Sequence, residues 1–330
     1  MPDFKLSENK IFTISTPSSF NETALEIFHF QYKNNPVYRH FTDYLGIRPA
    51  DINEYTQIPF LPIEFFKGHR IVSGDFIEEA VFKSSGTTGM QTGKHFIKSL
   101  SLYEHSFLTN FEQQFGPVKD FVILALLPSY LERQGSSLVY MMDKLIRFSG
   151  DENSGFYLYD YDRLAETLKK LKNTPKKVLL MGVTYALLEL AEKHPIRFPE
   201  LILMETGGMK GMRREMIREE LHTILKETFG VEQVYSEYGM TELLSQAYAL
   251  RGGNFQTPPW MKILIRDIND PLALVKNGQS GGINIIDLAN IHSCSFIATK
   301  DLGRKTGEDI FEMLGRYDDS DVRGCNLLIV

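Results

Sequence analysis

Short apolar runs that alternate with amphipathic helical patterns constrain the fold of this 330-residue chain more than any other feature. The runs lie at 121–127, 178–183, 201–205 and 281–286. Between two of them, segment 213–230 predicts a helix that ends at Gly230 and buries one face, made of Ile217, Leu221, Ile224, Leu225 and Phe229. This alternation predicts an α/β fold with a parallel sheet covered by helices on both sides. In such a sheet the ligand crevice lies at the carboxyl ends of the strands.

The composition excludes several classes of protein. The net charge of −6 comes from interspersed charges without a long basic run, so nucleic acid is not an expected partner. The apolar stretch 121–128 is too short for a membrane span, and the N-terminus lacks a signal pattern, which predicts a cytoplasmic protein. The two cysteines are too few for a disulfide framework or a four-cysteine zinc site.

A loop of glycine and hydroxyl residues with a lysine at each end spans 83–94, "KSSGTTGMQTGK". Glycine exposes backbone N–H groups and the hydroxyls add further donors, a combination that suits a polyphosphate. The loop is not a Walker A motif, because the spacing from Gly89 to Gly93 is one residue short and His95 follows the lysine. Phosphate binding by another scheme is therefore predicted.

A second motif is "METGGMKG" at 204–211, in which an apolar strand runs into Thr206, Gly207 and Gly208. The glycines allow a flat ligand to approach the backbone closely. Taken alone, such residues more often form an ordinary strand-to-helix turn.

A third motif is "SEYGMTELLSQ" at 236–246, where Tyr238 offers a ring, Gly239 a tight turn, Thr241 a hydroxyl and Glu242 a carboxylate. We predict a helix that begins at this carboxylate. The alternative is that Thr241 only caps that helix and Glu242 complements its dipole.

The fourth motif lies at 299–327 and contains Asp301 before a Leu-Gly turn and Arg316 in a second "LGR". Taken alone, Asp301 is more often a turn residue than a ligand. The order of all four motifs resembles the adenylate-forming superfamily of acyl-CoA synthetases, luciferases and peptide-synthetase adenylation domains. "SSGTTG" is similar to its phosphate loop and "YGMTE" to its adenylate motif, while "TKDLGR" and "GRYDDSD" resemble its ribose-binding and hinge motifs.

A narrower resemblance comes from "IPFLPIEFFKG" at 58–68 and "LLPSYLERQGSSLVYMMDKLI" at 126–146. With the short chain, these segments look like LuxE-type acyl-protein synthetases, and the resemblance spans nearly the whole chain. It implies one large N-terminal-type domain of the superfamily, with layered β-sheets flanked by helices and without the small C-terminal domain. It further divides that domain into a helical region at about 1–75, a nucleotide-binding core at about 76–250 and a β-rich region at about 251–330.

The resemblance implies ATP-dependent adenylation of a carboxylic acid, with a fatty acid as the expected substrate, and transfer of the acyl group to a thiol. ATP and Mg²⁺ are the implied cofactors, with Glu242 as the metal ligand and Thr241 on the α-phosphate. Asp301 and Arg316 take the ribose hydroxyls. The β- and γ-phosphate ligands are Ser84, Ser85, Gly86, Thr87, Thr88, Gly89 and Lys94. The walls of the adenine or acyl pocket come from Gly207, Gly208, Tyr238, Gly239 and Met240.

The thiol acceptor is the least determined part of this interpretation. Ligases of the superfamily continue into a small mobile domain, whereas the motifs here end near Val330, so the acceptor is expected to come from elsewhere. Cys325 is the local candidate, or else a small buried hydrophobe, and Cys294 is predicted to be structural within a strand. The alternatives are an AMP-forming ligase that uses coenzyme A or a carrier protein, helped by a partner subunit, and a non-catalytic nucleotide-binding subunit.

Overall fold

A computed structural model describes residues 8–84, 92–128, 135–207 and 216–316. Over these residues the chain forms one twelve-stranded sheet and one two-stranded hairpin. The strands are β1 Leu61–Pro62, β2 Ala80–Lys83, β3 Lys94–Ile97, β4 Phe121–Leu126, β5 Gly155–Phe156, β6 Lys177–Val183, β7 Ile202–Thr206, β8 Val234–Tyr238, β9 Ala247–Arg251, β10 Asn254–Gln256, β11 Met261–Arg266, β12 Ser280–Asp287, β13 Phe296–Lys305 and β14 Ile310–Arg316. The helices are α1 Glu8–Ile11, α2 Pro17–Asn34, α3 Pro36–Tyr44, α4 Phe65–Gly68, α5 Leu100–Phe115, α6 Ser137–Ser149, α7 Tyr161–Leu171, α8 Thr184–Lys193 and α9 Arg218–Phe229.

One half of the large sheet is parallel, in the order β5–β4–β6–β7–β8. Three of the predicted apolar runs form β4, β6 and β7, which confirms them as strands. Every residue of β4 is buried, as expected for a strand that is covered on both faces. The carboxyl ends of these strands lie along one edge of the sheet.

The other half of the sheet is antiparallel, in the order β8–β9–β10–β14–β13–β12–β11. The predicted all-parallel sheet is therefore wrong beyond β8, and the run at 281–286 belongs to this antiparallel half as β12. The physical reason is the connection 239–246, because it is too short for the crossover that a parallel neighbour of β8 requires.

Helix α9 confirms the predicted amphipathic pattern at its centre and its end. Leu221, Leu225 and Phe229 are buried, and Gly230 ends the helix with φ of 70°, a left-handed conformation that favours glycine. Ile217 departs from the prediction, because it precedes the helix and is 67% exposed. The helix is therefore shorter at its N-terminus than the sequence pattern indicates.

Helix α2 is tied to the turn that leads into β13. The Gln31 side chain is buried, and its Nε2 donates to the carbonyls of Asn290 and Ile291 at 3.0 Å each. Its Oε1 accepts from the backbone N–H of Ser295 at 2.9 Å. The N-terminal helices are thus held by residues near position 290. Among the described residues, no helix has the length and apolar character that a membrane crossing requires.

Candidate functional site

A buried carboxylate, Asp301, lies where β13 and β14 pair beside the end of β8. The Tyr238 hydroxyl donates to its Oδ2 at 2.7 Å, and Arg316 Nε lies 3.2 Å from its Oδ1. Burial raises the pKa of Asp301, while the hydrogen bond from Tyr238 and the charge of Arg316 lower it. The sheet therefore brings together three of the residues predicted for nucleotide binding.

The ring of Tyr238 is packed against the protein. Its centroid lies 5.9 Å from that of Phe255 and 5.5 Å from that of Phe311, and the residue is 7% exposed. Its hydroxyl also lies 4.0 Å from the sulfur of Met240. The observed role of Tyr238 is to hold Asp301, and its predicted contact with adenine stays a prediction.

The segment after Tyr238 forms a turn, so the predicted helix at Glu242 is wrong. Leu243 N donates to Met240 O at 3.1 Å. The buried Asp287 accepts from the N–H groups of Leu244 at 2.8 Å and Ser245 at 3.0 Å. These bonds use donors that a helix would need, and thus favour the turn.

The carboxylate of Glu242 is enclosed by this turn and is 6% exposed. Burial raises its pKa to about 7, although the charges of Arg316 and Lys67 act in the opposite direction. The Asn290 side-chain amide donates to the Glu242 carbonyl at 2.8 Å and fixes the backbone. A Cβ on Gly93 would lie 2.5 Å from Glu242 Oε1, so glycine is needed for this close approach.

The donor set at Glu242 fits a magnesium ion shared with a nucleotide. Mg²⁺ prefers oxygen ligands and usually takes one or two carboxylates together with phosphates and water. The described part of the chain holds no group of three or more His, Cys, Asp or Glu that could bind a metal alone. A buried carboxylate with a raised pKa gains from a cation placed beside it.

The hairpin of β2 and β3 places both ends of the predicted phosphate loop next to Glu242. Lys83 pairs with Lys94, Ser84 N donates to Gly93 O at 3.0 Å, and Gly93 N donates to Ser84 Oγ at 2.8 Å. Lys94 is exposed at the start of β3. Five predicted phosphate ligands between these ends lie outside the described residues: Ser85, Gly86, Thr87, Thr88 and Gly89.

His95 connects this hairpin to the turn, a contact that the sequence did not reveal. Its Nδ1 lies 2.9 Å from the carbonyl oxygen of Thr241. Burial lowers the pKa of His95 to about 4, so the ring is neutral and its Nδ1 carries the donated proton. The alternation of buried and exposed residues in β3 is the signal that places His95 inward beside the exposed Lys94.

The ends of β7 and β8 carry further polar groups beside the turn. Gly207 has φ of 64°, and its carbonyl accepts from the Thr184 hydroxyl at 2.6 Å. Thr206 donates to Glu237 Oε2 at 2.5 Å, and burial raises the pKa of Glu237 to about 7. The sequence interpretation did not include Glu237, and Gly208 lies outside the described residues.

Cys294 is fully buried, in agreement with a structural role. It lies in the turn before β13, so its predicted position within a strand is wrong. Burial raises the pKa of its thiol to about 12. The other cysteine, Cys325, lies outside the described residues.

Two solved structures illustrate the similarity of this architecture to known proteins. An open form of 2-hydroxyisobutyryl-CoA ligase in complex with 2-HIB-AMP and CoA has a TM-score of 0.67 and 14% identity, over 92% of this chain and 70% of that one. ATP-bound MatB from Rhodopseudomonas palustris has a TM-score of 0.54 and 14% identity, over 86% and 58% of the two chains. The fold is therefore that of the large N-terminal domain of adenylate-forming enzymes.

The family follows from the sequence itself. Residues 4–330 match the family described as acyl-protein synthetase, LuxE, and the chain belongs to this family. It is accordingly an AMP-forming ligase that activates a carboxylic acid with ATP and passes the acyl group to a thiol. No curated protein matches the chain.

Proposed function

We propose that this ligase activates a fatty or other carboxylic acid with Mg²⁺-ATP and that Asp301 and Glu242 are its central nucleotide-site residues. One observation carries the proposal. Two buried carboxylates lie close enough to interact: Glu242, in the turn between β8 and β9, approaches Gly93 of the β2–β3 hairpin, and the charge of Asp301 on β13 helps to raise its pKa. A site for Mg²⁺-ATP needs a carboxylate for the ribose, a carboxylate for the metal and a loop for the polyphosphate, which are the proposed roles of Asp301, Glu242 and the segment at 83–94.

In the adenylation step a carboxylate oxygen of the acid attacks the α-phosphorus of ATP. An acyl-phosphate bond forms, and the bond from the α-phosphorus to pyrophosphate breaks. Both reactants are anions, so the site has to neutralise charge and align the attack. Arg316 and Lys94 supply positive charge from the protein, and Thr241 lies beside Glu242 as the proposed donor to the α-phosphate. A bound Mg²⁺ would neutralise phosphate charge further.

The ribose is proposed to bind at Asp301. Its carboxylate accepts hydrogen bonds, is buried, and is oriented by Tyr238 and Arg316. Hydrogen bonds to a carboxylate held in this way are charge-assisted and therefore stronger than neutral ones. The adenine walls are proposed to come from Gly207, Gly208, Tyr238, Gly239 and Met240.

The acyl acceptor is proposed to be Cys325, with coenzyme A or a carrier protein as alternatives. Cys294 is unsuitable, because a thiol with a pKa of about 12 and no exposed surface gives almost no reactive thiolate at neutral pH. A partner subunit is proposed to support the transfer step. We place the enzyme in the cytoplasm, where thiols stay reduced.

Carboxylate-dependent exchange of labelled pyrophosphate into ATP tests the proposal. We expect exchange by the unaltered protein and a loss of at least 100-fold for Glu242→Gln, which keeps the size of the side chain and removes its charge. Glu308→Gln is the matched control, because Glu308 is exposed in the turn between β13 and β14, at the other end of the strand pair from Asp301 and Arg316. ATP binding without exchange for any acid would favour the non-catalytic alternative.

A further inference from the structure

A buried polar cluster lies beneath Gly239, beside the proposed adenylation site. We call it the Glu237 cluster, and its members are Asn110, Thr206, Glu237 and Gln246. A Cβ on Gly239 would lie 2.4 Å from Glu237 Oε1 and 3.5 Å from Gln246 Cγ. The cluster therefore lies directly under the backbone that leads to Glu242.

The cluster occupies the face of the sheet opposite Tyr238. Successive residues of a strand point to opposite faces, so Glu237 turns away from Asp301 and towards α5. Burial is the largest cause of the raised pKa of Tyr103 on α5 and of Tyr248 on β9. The charge of Glu237 is the second cause for both residues. The cluster is thus separate from the proposed ribose contacts.

Two oxygen atoms of the cluster have no hydrogen-bond partner among the described residues. They are Asn110 Oδ1 and Gln246 Oε1, in residues that are 0% and 4% exposed. Asn110 Nδ2 donates to the Gln246 carbonyl at 2.8 Å, which fixes the orientation of its amide and leaves the oxygen as the free atom. Buried polar atoms are normally paired, so both acceptors call for a donor that the described residues do not supply.

We infer that the acid substrate carries a hydrogen-bond donor, a hydroxyl or ammonium group, on a carbon close to its carboxyl group. The inference rests on the proposed function. The attacking carboxyl group has to lie beside Thr241 and Glu242, and Glu237 and Gly239 belong to the same short segment. The carbons next to the carboxyl group therefore lie closest to the Glu237 cluster.

A plain alkyl acid fits this surface poorly. It would desolvate Glu237 and leave the oxygens of Asn110 and Gln246 without donors, and sites built for hydrogen bonding reject analogues that lack the group. A hydroxyl both donates and accepts, so it pairs with a protonated or an ionised carboxyl group. An ammonium group offers three donors to the same oxygens.

Matched acids test the inference in the pyrophosphate-exchange assay. Three sets cover short, long and aromatic chains: butanoic, octanoic and 3-phenylpropanoic acid, each compared with its 2-hydroxy, 3-hydroxy and 2-amino derivative. We expect kcat/KM for at least one donor-bearing acid to exceed that of its parent by tenfold or more. The hydroxy and amino arms distinguish the two donor types.

Variants connect the preference to the cluster. Glu237→Leu is expected to lower the preference by at least tenfold while it retains exchange with the parent acid. Glu237→Gln, which keeps a hydrogen-bonding group, should retain more of the preference. If Glu237→Leu does not fold by circular dichroism, Gln246→Met serves the same purpose.

Two outcomes would overturn the inference, and they are distinguishable. Equal or better use of the parent acids in all sets refutes the donor requirement and leaves the adenylation function intact. Absence of exchange with every acid, together with measurable ATP binding, refutes the proposed function and the inference with it.

Discussion

The contact between His95 and the Thr241 carbonyl predicts that this histidine positions the turn that carries Glu242. Replacing His95 by Leu removes the 2.9 Å hydrogen bond that the buried imidazole ring makes to that carbonyl. Leaving such a group unpaired costs about 1–3 kcal/mol. If the loss acts on the adenylation transition state, exchange falls by about 5–150-fold. His95→Asn keeps an amide donor near the position of Nδ1 and should restore most of the rate.

The same histidine gives a pH dependence whose sign is fixed. Its pKa falls from 6.5 in the unfolded chain to about 4 in the fold, so the unfolded chain binds more protons between these values. Stability from the neutral ring is complete above pH 6.5 and is lost as the pH falls towards 4, by up to about 3 kcal/mol. Glu237 and Glu242 have the opposite effect on stability, because their pKa values are raised from 4.5 to about 7. They destabilise the fold as the pH rises from 4.5 to 7.

The difference between the wild type and His95→Asn removes the contribution of the two glutamates. Urea unfolding of both proteins at several pH values from 4 to 7.5 measures this difference. The free energy of unfolding of the wild type should decline relative to that of the variant as the pH falls below 6.5. A difference that does not change with pH, or exchange by His95→Leu at the wild-type rate, would refute the positioning role.

Three further predictions concern the rest of the site. Gly93→Ala places a methyl group 2.5 Å from Glu242 Oε1. Because this oxygen is the mobile end of a side chain, the melting temperature should change little, whereas exchange should fall at least tenfold as the carboxylate is displaced. A normal rate would contradict the placement of Glu242. Tyr238→Phe removes the 2.7 Å hydrogen bond to Asp301. Calorimetry should show ATP binding weakened by about 3–10-fold and less discrimination against 2′-deoxy-ATP. Unchanged binding would count against the ribose role of Asp301. Cys325→Ala should keep exchange and lose hydroxylamine-sensitive labelling by a radioactive acid that supports exchange in the wild type. Cys294→Ala is the control that labels normally, and full labelling of Cys325→Ala would move the acceptor elsewhere.

Local patterns in the sequence predicted those parts of the fold that depend on neighbouring residues. The apolar runs of β4, β6 and β7 and the buried face of α9 follow from periodicity alone. The turn at Glu242 could not be predicted from periodicity, because its conformation is set by Asp287, more than 40 positions away. A helix was the better local choice, and a tertiary hydrogen bond overrode it.

The residues of the candidate site also fall into two groups, those that local motifs predicted and those that depend on distant contacts. Glu242, Asp301 and Tyr238 were predicted from motifs, since each lies in a short recognisable string. His95 and Glu237 were not, because their roles depend on a carbonyl 146 positions away and on a buried cluster that α5 forms with the residue before β9. Alternation along a strand indicates which side chains point inward, but a single sequence carries no local signal for the distant partners that they meet.

The attachment of α2 to the turn before β13 has a consequence for synthesis of the protein. Gln31 leaves the ribosome before its partners at 290, 291 and 295, which are made about 260 residues later. Until then α2 cannot dock, and the apolar residues it covers stay accessible to chaperones and proteases. Contacts so distant along the chain slow folding, because a long loop has to close before they form. Asp301 and Glu242 are therefore expected to come together only after the residues near position 300 have been synthesised.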